Sequence, residues 1–507
     1  MDRRLVCLLL AVLTGCAGLQ PRPPLPVETA RPISFDTELD RRIAAVEARH
    51  PGASGFRLVS EGSEAFVWRA GSAMLAERSL DVQTYIWHVD LTGIALADKI
   101  LAAADRGVRV RLLVDDMSAR GNHYSFAALD AHPHVEVRLF NPFQSRAGRL
   151  RFVLEALGDF NRINRRMHNK SWIADNRIAL VGGRNLGDEY FNASEQVNFV
   201  DLDFAMIGPI VREVSASFDH YWNSEAAYPV RLLAPKDVTS QALDALRTSM
   251  IPGVEEARRS RYAAALAADE DVRKLVAGEA PIDWVSKYRF VADDPLKAAR
   301  RAKTASHVLE ALGPMIRAAR QRVNVISPYF VPGRQGTDAL VELAAVGCEV
   351  NLLTNSLAAN DVAAVYGGYS RWRRPLLEGG VNLWELKPSR GVMAQSSLFG
   401  SSGASLHTKA LAVDGERAFV GSYNLDPRST SLNTEQGVFV EDAHIAAQLD
   451  DLFRLEIAPA RAWRVTLEAE QLRWSDGDAV HVNAPGATFA RKFQAWLARM
   501  LRIDAQL

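Results

Sequence analysis

Met167-His168-Asn169-Lys170-Ser171-Trp172-Ile173-Ala174-Asp175 runs on through Val181-Gly182-Gly183-Arg184-Asn185 to Glu195. A near copy, Leu406-His407-Thr408-Lys409-Ala410-Leu411-Ala412-Val413-Asp414, runs on through Val420-Gly421-Ser422-Tyr423-Asn424 to Glu435. The His, Lys, Asp and Asn of one copy each lie 239 residues from those of the other, and the two glutamates lie 240 apart. Five polar residue types recurring in one order at one spacing mark an internal duplication.

Working outward, the flanking segments repeat as well. Residues 80–87 alternate like a strand, residues 92–105 are Ala/Leu-rich and helical up to Arg106-Gly107, and residues 108–115 and 135–140 read as strands. The second half replays this order with strands at 322–329, 348–353 and 379–385 and a helix at 335–345. Strand-helix-strand units of this length imply parallel pairing through a crossover helix. The expected fold is α/β, with two mixed-sheet halves flanked by helices. The first half spans 38–231 and the second 302–507, with a charged helical insertion at 232–301.

Within each motif the His and Lys alternate with other residues, so on a strand they project from one face. Asp175-Asn176 and Asp414-Gly415 are tight-hairpin pairs, and turn formation alone accounts for the two aspartates, although they also belong to the candidate set. The returning strands at 178–181 and 418–420 carry the chain back to Asn185 and Asn424.

Protonated lysines do not ligate metals and His-x-Lys is not ligand spacing, so neither a metal nor another cofactor is expected. Two imidazoles with two ammonium groups and two amides suit phosphoryl transfer. One His attacks phosphorus, the other protonates the leaving oxygen, and Lys and Asn hold the charge on the non-bridging oxygens. A glutamate at the far ring nitrogen would orient each His.

H-x-K-x-x-x-x-D followed by Gly and Asn, twice in one chain, resembles the phospholipase D superfamily over about residues 79–460. Tyr85-Ile86-Trp87, Leu91-Thr92-Gly93, the run 104–111, Arg165-Arg166-Met167-His168 and Gly182-Gly183-Arg184-Asn185 resemble more narrowly the bacterial cardiolipin synthases of the C type, without N-terminal transmembrane helices. The resemblance implies a duplicated phospholipase D-like fold, one active site at the interface of the halves and a phosphohistidine intermediate. It also implies the catalytic residues His168, Lys170, Asn185, Glu195, His407, Lys409, Asn424 and Glu435, with Asp175 and Asp414 completing the motifs. One departure is Gly183, which stands where the second copy has Ser422.

The expected function is phosphatidyl transfer, making cardiolipin from phosphatidylglycerol and a second phospholipid or alcohol. Hydrolysis to phosphatidic acid is the alternative, followed by a phosphodiesterase or nuclease and by a non-catalytic phosphate-binding scaffold. Lys+Arg and Asp+Glu both total 60, and this balance gives no support for nucleic acid as a partner.

The N-terminus reads as an export signal over 1–15. A short apolar run leads into Leu13-Thr14-Gly15-Cys16, which resembles a bacterial lipobox with Cys16 as the lipidated residue. The expected membrane anchor is therefore the acylated Cys16, stabilised by about 0.8 kcal/mol per buried methylene. By resemblance, Ala17 directs the protein to the periplasmic face of the outer membrane in a two-membraned cell. Residues 16–37, rich in proline, read as an extended tether of about 3.1 Å per residue. Of the three cysteines only Cys348 remains after Cys7 and Cys16, and it reads as a packed core thiol.

Overall fold

The computed structural model describes residues 22–119, 121–143, 155, 160–233, 240–298, 306–388 and 405–501. Cys16 and its lipobox lie outside the described residues. The strands of the first half are β1 (Ser54–Val59), β2 (Ser79–Thr84), β3 (Arg109–Asp115), β4 (Val135–Phe140), β5 (Ser171–Ala174), β6 (Ile178–Gly182), β7 (Asp203–Ile207), β8 (Ala227–Pro229) and β9 (Asp283–Val285). They form one sheet in the order β8-β4-β3-β2-β5-β6-β7-β1-β9.

The second half contributes β10 (Tyr288–Ala292), β11 (Arg322–Ile326), β12 (Glu349–Asn355), β13 (Asn382–Leu386), β14 (Ala410–Val413), β15 (Arg417–Gly421), β16 (Gln436–Glu441), β17 (Ala462–Glu468), β18 (Gln471–Ser475) and β19 (Val480–His481). Its order is β10-β16-β15-β14-β11-β12-β13-β17-β18-β19. The run β4-β3-β2-β5-β6-β7-β1 and the run β13-β12-β11-β14-β15-β16-β10 have the same connectivity, so the duplication extends to topology.

In each half the three strands before the motif are parallel, and the motif hairpin adds antiparallel to their edge. The hairpins turn through Asp175 and Asn176 at φ 52° and 57°, and through Asp414 and Gly415 at φ 56° and 67°. Left-handed residues at both central positions match the right-handed twist of the flanking strands.

Successive residues of the motif strands bury on opposite sides, as a two-residue period requires. Trp172 and Leu180 enter a core shared with the helices Gly62–Leu75 and Leu91–Asp105. Ile173, Ala179 and Val181 point the other way, where they join Ala412, Val420 and Val438 of the second half. The two sheets therefore share one buried face, so their relative position is set by packing rather than by a linker. Cys348 is buried in the second-half core and has no disulfide partner among the described residues.

Two boundaries differ from the expectation. The segment 232–301 is not wholly helical: its helices pack on the first half, but it ends in β9 and β10. β9 closes the first sheet beside β1 and β10 closes the second beside β16. The second half thus begins at Tyr288, where the strands are too short for their periodicity to stand out from the neighbouring helices. The proline-rich segment is not a free tether from Arg22 onward. Arg22 donates to the carbonyls of Asn223 and Ser224, the Glu28 and Ala30 amides donate to Asn223 and Asp219, and Arg177 donates to the Ser34 carbonyl. An extended chain leaves its main-chain polar groups open, and the body supplies partners for them.

Candidate active site

The two motifs meet because each pairs with the opposite half. Met167 bridges Thr434 and Leu406 bridges Val200, both in parallel. The His168 amide donates to the Thr434 carbonyl at 2.9 Å, and the His407 amide donates to the Val200 carbonyl at 2.8 Å. The ends of β3 and β12 hold the residue before each His. Asp115 accepts from the Met167 amide at 2.8 Å, and the Asn355 side chain both accepts from and donates to the Leu406 main chain.

This exchange sets each imidazole against a carboxylate following the other motif. His168 Nδ1 lies 2.9 Å from Glu435 Oε2, and His407 Nδ1 lies 2.6 Å from Asp201 Oδ2. A carboxylate at Nδ1 accepts its proton and turns the lone pair of Nε2 away from the pair. Ser422 and Ser429 donate to the two oxygens of Glu435 at 2.5 Å and 2.7 Å. Lys170 Nζ donates to the His168 carbonyl at 2.6 Å, and Lys409 Nζ donates to that of His407. Tyr85 presents its edge to His168, and Tyr190 and Phe199 pack on His407.

Glu195 is a correction: it is exposed, and Asp201 occupies the position facing His407. Asp203 pairs with Gly182 as Gly437 pairs with Gly421, so Asp201 and Glu435 each stand two residues before equivalent strand positions. The connection after Asn185 is longer than that after Asn424, so equal spacing along the chain pointed to the wrong carboxylate. Counting back from β7 would have found Asp201. Arg184, fully buried, holds this longer connection by donating to the carbonyls of Val59, Tyr190 and Asp201.

Gly183 follows from the same substitution. A Cβ there would lie 2.1 Å from Asp201 Oδ1. The shorter carboxylate takes the space that the Ser422 side chain fills beside Glu435.

Asp175 and Asp414 lie at the hairpin turns and serve the fold, a second correction to the candidate set. Asp175 accepts from the amides of Glu77, Arg78 and Ser79, and Asp414 from those of Arg320, Gln321 and Arg322. Each fastens the entry of its first parallel strand to the hairpin. The two asparagines are not equivalent. Asn185 accepts from the Ile86 amide and donates to the Tyr190 hydroxyl, whereas the buried Oδ1 of Asn424 has no hydrogen-bond partner among the described residues.

Burial dominates the electrostatics. It pushes the His168 imidazole down to about 4 and that of His407 to about 3, the lysine charges adding to the effect and the facing carboxylates opposing it. Burial likewise brings Lys170 down to about 7 and Lys409 to about 8. It works against ionisation of Asp201 and Glu435, but the facing imidazoles and the ammonium groups outweigh it and hold both carboxyls below their usual range. The resting site thus holds two neutral imidazoles beside two carboxylates and two weakened ammonium groups.

A duplicated fold with two crossed His–carboxylate pairs beside two lysines defines a class of phosphoryl-transferring enzymes. The family described as cardiolipin synthase, PLD-like domain, matches residues 73–222 and 312–456. The chain belongs to the phospholipase D superfamily and is a cardiolipin synthase-like phosphatidyltransferase. It is 40% identical over 475 residues to cardiolipin synthase C of Escherichia coli, covering 90% of this chain and 97% of that one. It is 24% identical over 423 residues to cardiolipin synthase of Staphylococcus aureus, covering 82% and 70%. Phosphatidylserine synthase of Haemophilus influenzae has the same fold, with a TM-score of 0.55 at 13% identity, covering 92% of this chain and 98% of that one.

Proposed function

We propose that this enzyme makes cardiolipin by moving the phosphatidyl group of phosphatidylglycerol onto the free hydroxyl of a second phospholipid or alcohol. The observation that carries the reading is the crossed pairing of His168 with Glu435 and His407 with Asp201. Only with both halves together are two imidazoles held with Nδ1 occupied and Nε2 available.

In the first step Nε2 of His168 attacks phosphorus, the P–O bond to the leaving glycerol breaks, and its oxygen takes a proton from Nε2 of His407. In the second step neutral His407 removes the proton of the acceptor hydroxyl, whose oxygen attacks phosphorus as the P–N bond to His168 breaks. The arriving phosphodiester anion raises the depressed His407 and lysine pKa values, so charge is gathered when substrate binds. Lys170 and Lys409 neutralise the non-bridging oxygens, and the Asn424 amide can turn its NH2 toward them. The motif symmetry leaves the assignment of His168 as nucleophile to resemblance. We further assign the chain to the cell envelope, anchored through lipidated Cys16 on the periplasmic face of the outer membrane where two membranes exist.

The test is to incubate purified enzyme with labelled phosphatidylglycerol, with and without glycerol or phosphatidylethanolamine. Labelled cardiolipin supports transfer. Phosphatidic acid as the sole product makes the enzyme a hydrolase, and cleavage of DNA without either product overturns both. With an activated lipid analogue, His407→Ala should accumulate acid-labile label on His168 and His168→Ala should not; label on His407 reverses the roles.

A further inference from the structure

The helix Phe489–Leu501 meets the protein with one face and solvent with the other. Arg491, Ala495 and Ala498, spaced four and three residues apart, are buried where it packs on the helix Ala363–Tyr369. The approach is close: a Cβ at Gly367 would meet the Ala495 carbonyl oxygen at 2.4 Å. On the opposite face Phe489, Phe493, Trp496, Leu497, Met500 and Leu501 are exposed, Phe489 by 85% and Met500 by 63%. The rings of Phe493 and Trp496 stack on each other at 5.8 Å. A surface helix ordinarily turns its polar residues outward. An apolar outward face of this size marks contact with an apolar partner.

The charges say which partner. Lys492 and Arg499 flank the apolar face, and neither forms an ion pair among the described residues. They border a cleft of about 600 Å³ that Arg373 and Arg374 also line. Arg373 is paired with Glu385 at 3.3 Å and Arg374 with Glu470 at 2.5 Å, so Lys492 and Arg499 supply the uncommitted positive charge. An anionic bilayer answers both features, with acyl chains for the rings and headgroup phosphates for the cations. A second copy of this chain would cover the rings but leave the cations unexplained.

We infer that the helix Phe489–Leu501 docks flat on an anionic phospholipid bilayer, with Phe493, Trp496 and Met500 among the acyl chains and Lys492 and Arg499 on lipid phosphates. The choice of partner rests on the transferase reading, because a phosphatidyltransferase works on lipids in a bilayer. The helix is also tied to the site. Arg491 Nε donates to the Leu357 carbonyl at 2.9 Å, and Asn355, two residues earlier, brackets Leu406 beside His407.

The test uses the full chain carrying Cys16→Ala, so that no acyl anchor masks the helix. The chain is spun with vesicles of phosphatidylcholine alone or mixed with phosphatidylglycerol. It should bind the mixed vesicles, and Phe493→Ser/Trp496→Ser/Met500→Ser should reduce the bound fraction at least tenfold. Lys492→Glu/Arg499→Glu should weaken binding only to the anionic vesicles, by roughly fivefold per residue at low salt. Circular dichroism and activity on soluble short-chain phosphatidylglycerol check that each variant is folded. No vesicle binding by the parent, or equal binding by the triple variant, overturns the proposal. So does a parent dimer that the triple variant dissolves without any vesicle binding. Vesicle binding with no turnover of the short-chain lipid would instead sink the transferase reading and leave the docking intact.

Discussion

At the residue scale, His407 is positioned by a residue that belongs to the other half. Asp201→Asn and Glu435→Gln keep the shape of each side chain but present an amide to Nδ1, favouring the wrong tautomer. Turnover should fall by about 100- to 10,000-fold, since a carboxylate orienting a catalytic His has effects of that size. Glu195→Gln should stay within about twofold of the parent in the same assay. Lys170→Met or Lys409→Met should lower turnover by roughly 100- to 1,000-fold, as loss of one preorganised charge stabiliser does. The pH dependence of kcat/KM follows from the free enzyme. Below about 4 His168 is protonated and cannot attack, and above about 7 to 8 Lys170 and then Lys409 lose their charge. The acid step also needs a proton on His407, which the free enzyme loses above about 3, so kcat/KM should fall steadily above about pH 4 and steepen near 7 to 8 as the lysines lose their charge. Steepening only above about pH 10 would show that burial does not weaken these ammonium groups.

At the scale of elements, each hairpin has a chemical end and a structural end. Asp175 and Asp414 sit at the structural end, where three main-chain amides converge on each carboxylate. Asp175→Ala should cost about 2–3 kcal/mol, because amides lose a charged acceptor and the left-handed turn loses a residue suited to it. Thermal unfolding should move down by several degrees, while kcat measured well below the transition stays near that of the parent. A loss of kcat without loss of stability would return Asp175 to the chemical set. At the other end, Gly183→Ser should displace Asp201, because the added Cβ falls on its carboxylate. That variant should lose activity as Asp201→Asn does, and pairing it with Asp201→Ala should add little further loss.

At the scale of the molecule, the site exists only where the two sheets share a face. The bridges Val200 to Leu406 and Met167 to Thr434 cross between the halves, and each aligns a His with the carboxylate after the other motif. Both halves of the site come from one chain, so mixing His168→Ala with His407→Ala should restore no activity. Recovery of a substantial fraction of parent turnover in the mixture would mean that the halves exchange between chains.

The duplication, the three core strands before each motif, the hairpin turns, and the His, Lys and Asn of both motifs are legible along the chain. Each depends on local patterns: a two-residue strand period, a turn pair tolerant of positive φ, and a spacing repeated intact. The parallel core strands 135–140 and 108–115 are readable because Val135, Val137, Val108 and Val110 alternate with Glu136, Arg138, Arg109 and Arg111, the two-residue period of a strand. What the chain could not show were relations set by contact between distant segments. Glu195 matched the spacing of Glu435, but the longer connection after Asn185 delays the equivalent position to Asp201, and only the register of β7 on β6 reveals it. Residues 22–37 and 283–292 likewise carry little periodicity of their own, and their places come from the main-chain partners that the folded body offers. Local sequence thus determined which groups are available, and tertiary packing decided which carboxylate faces which histidine, because that pairing crosses between halves more than 200 residues apart.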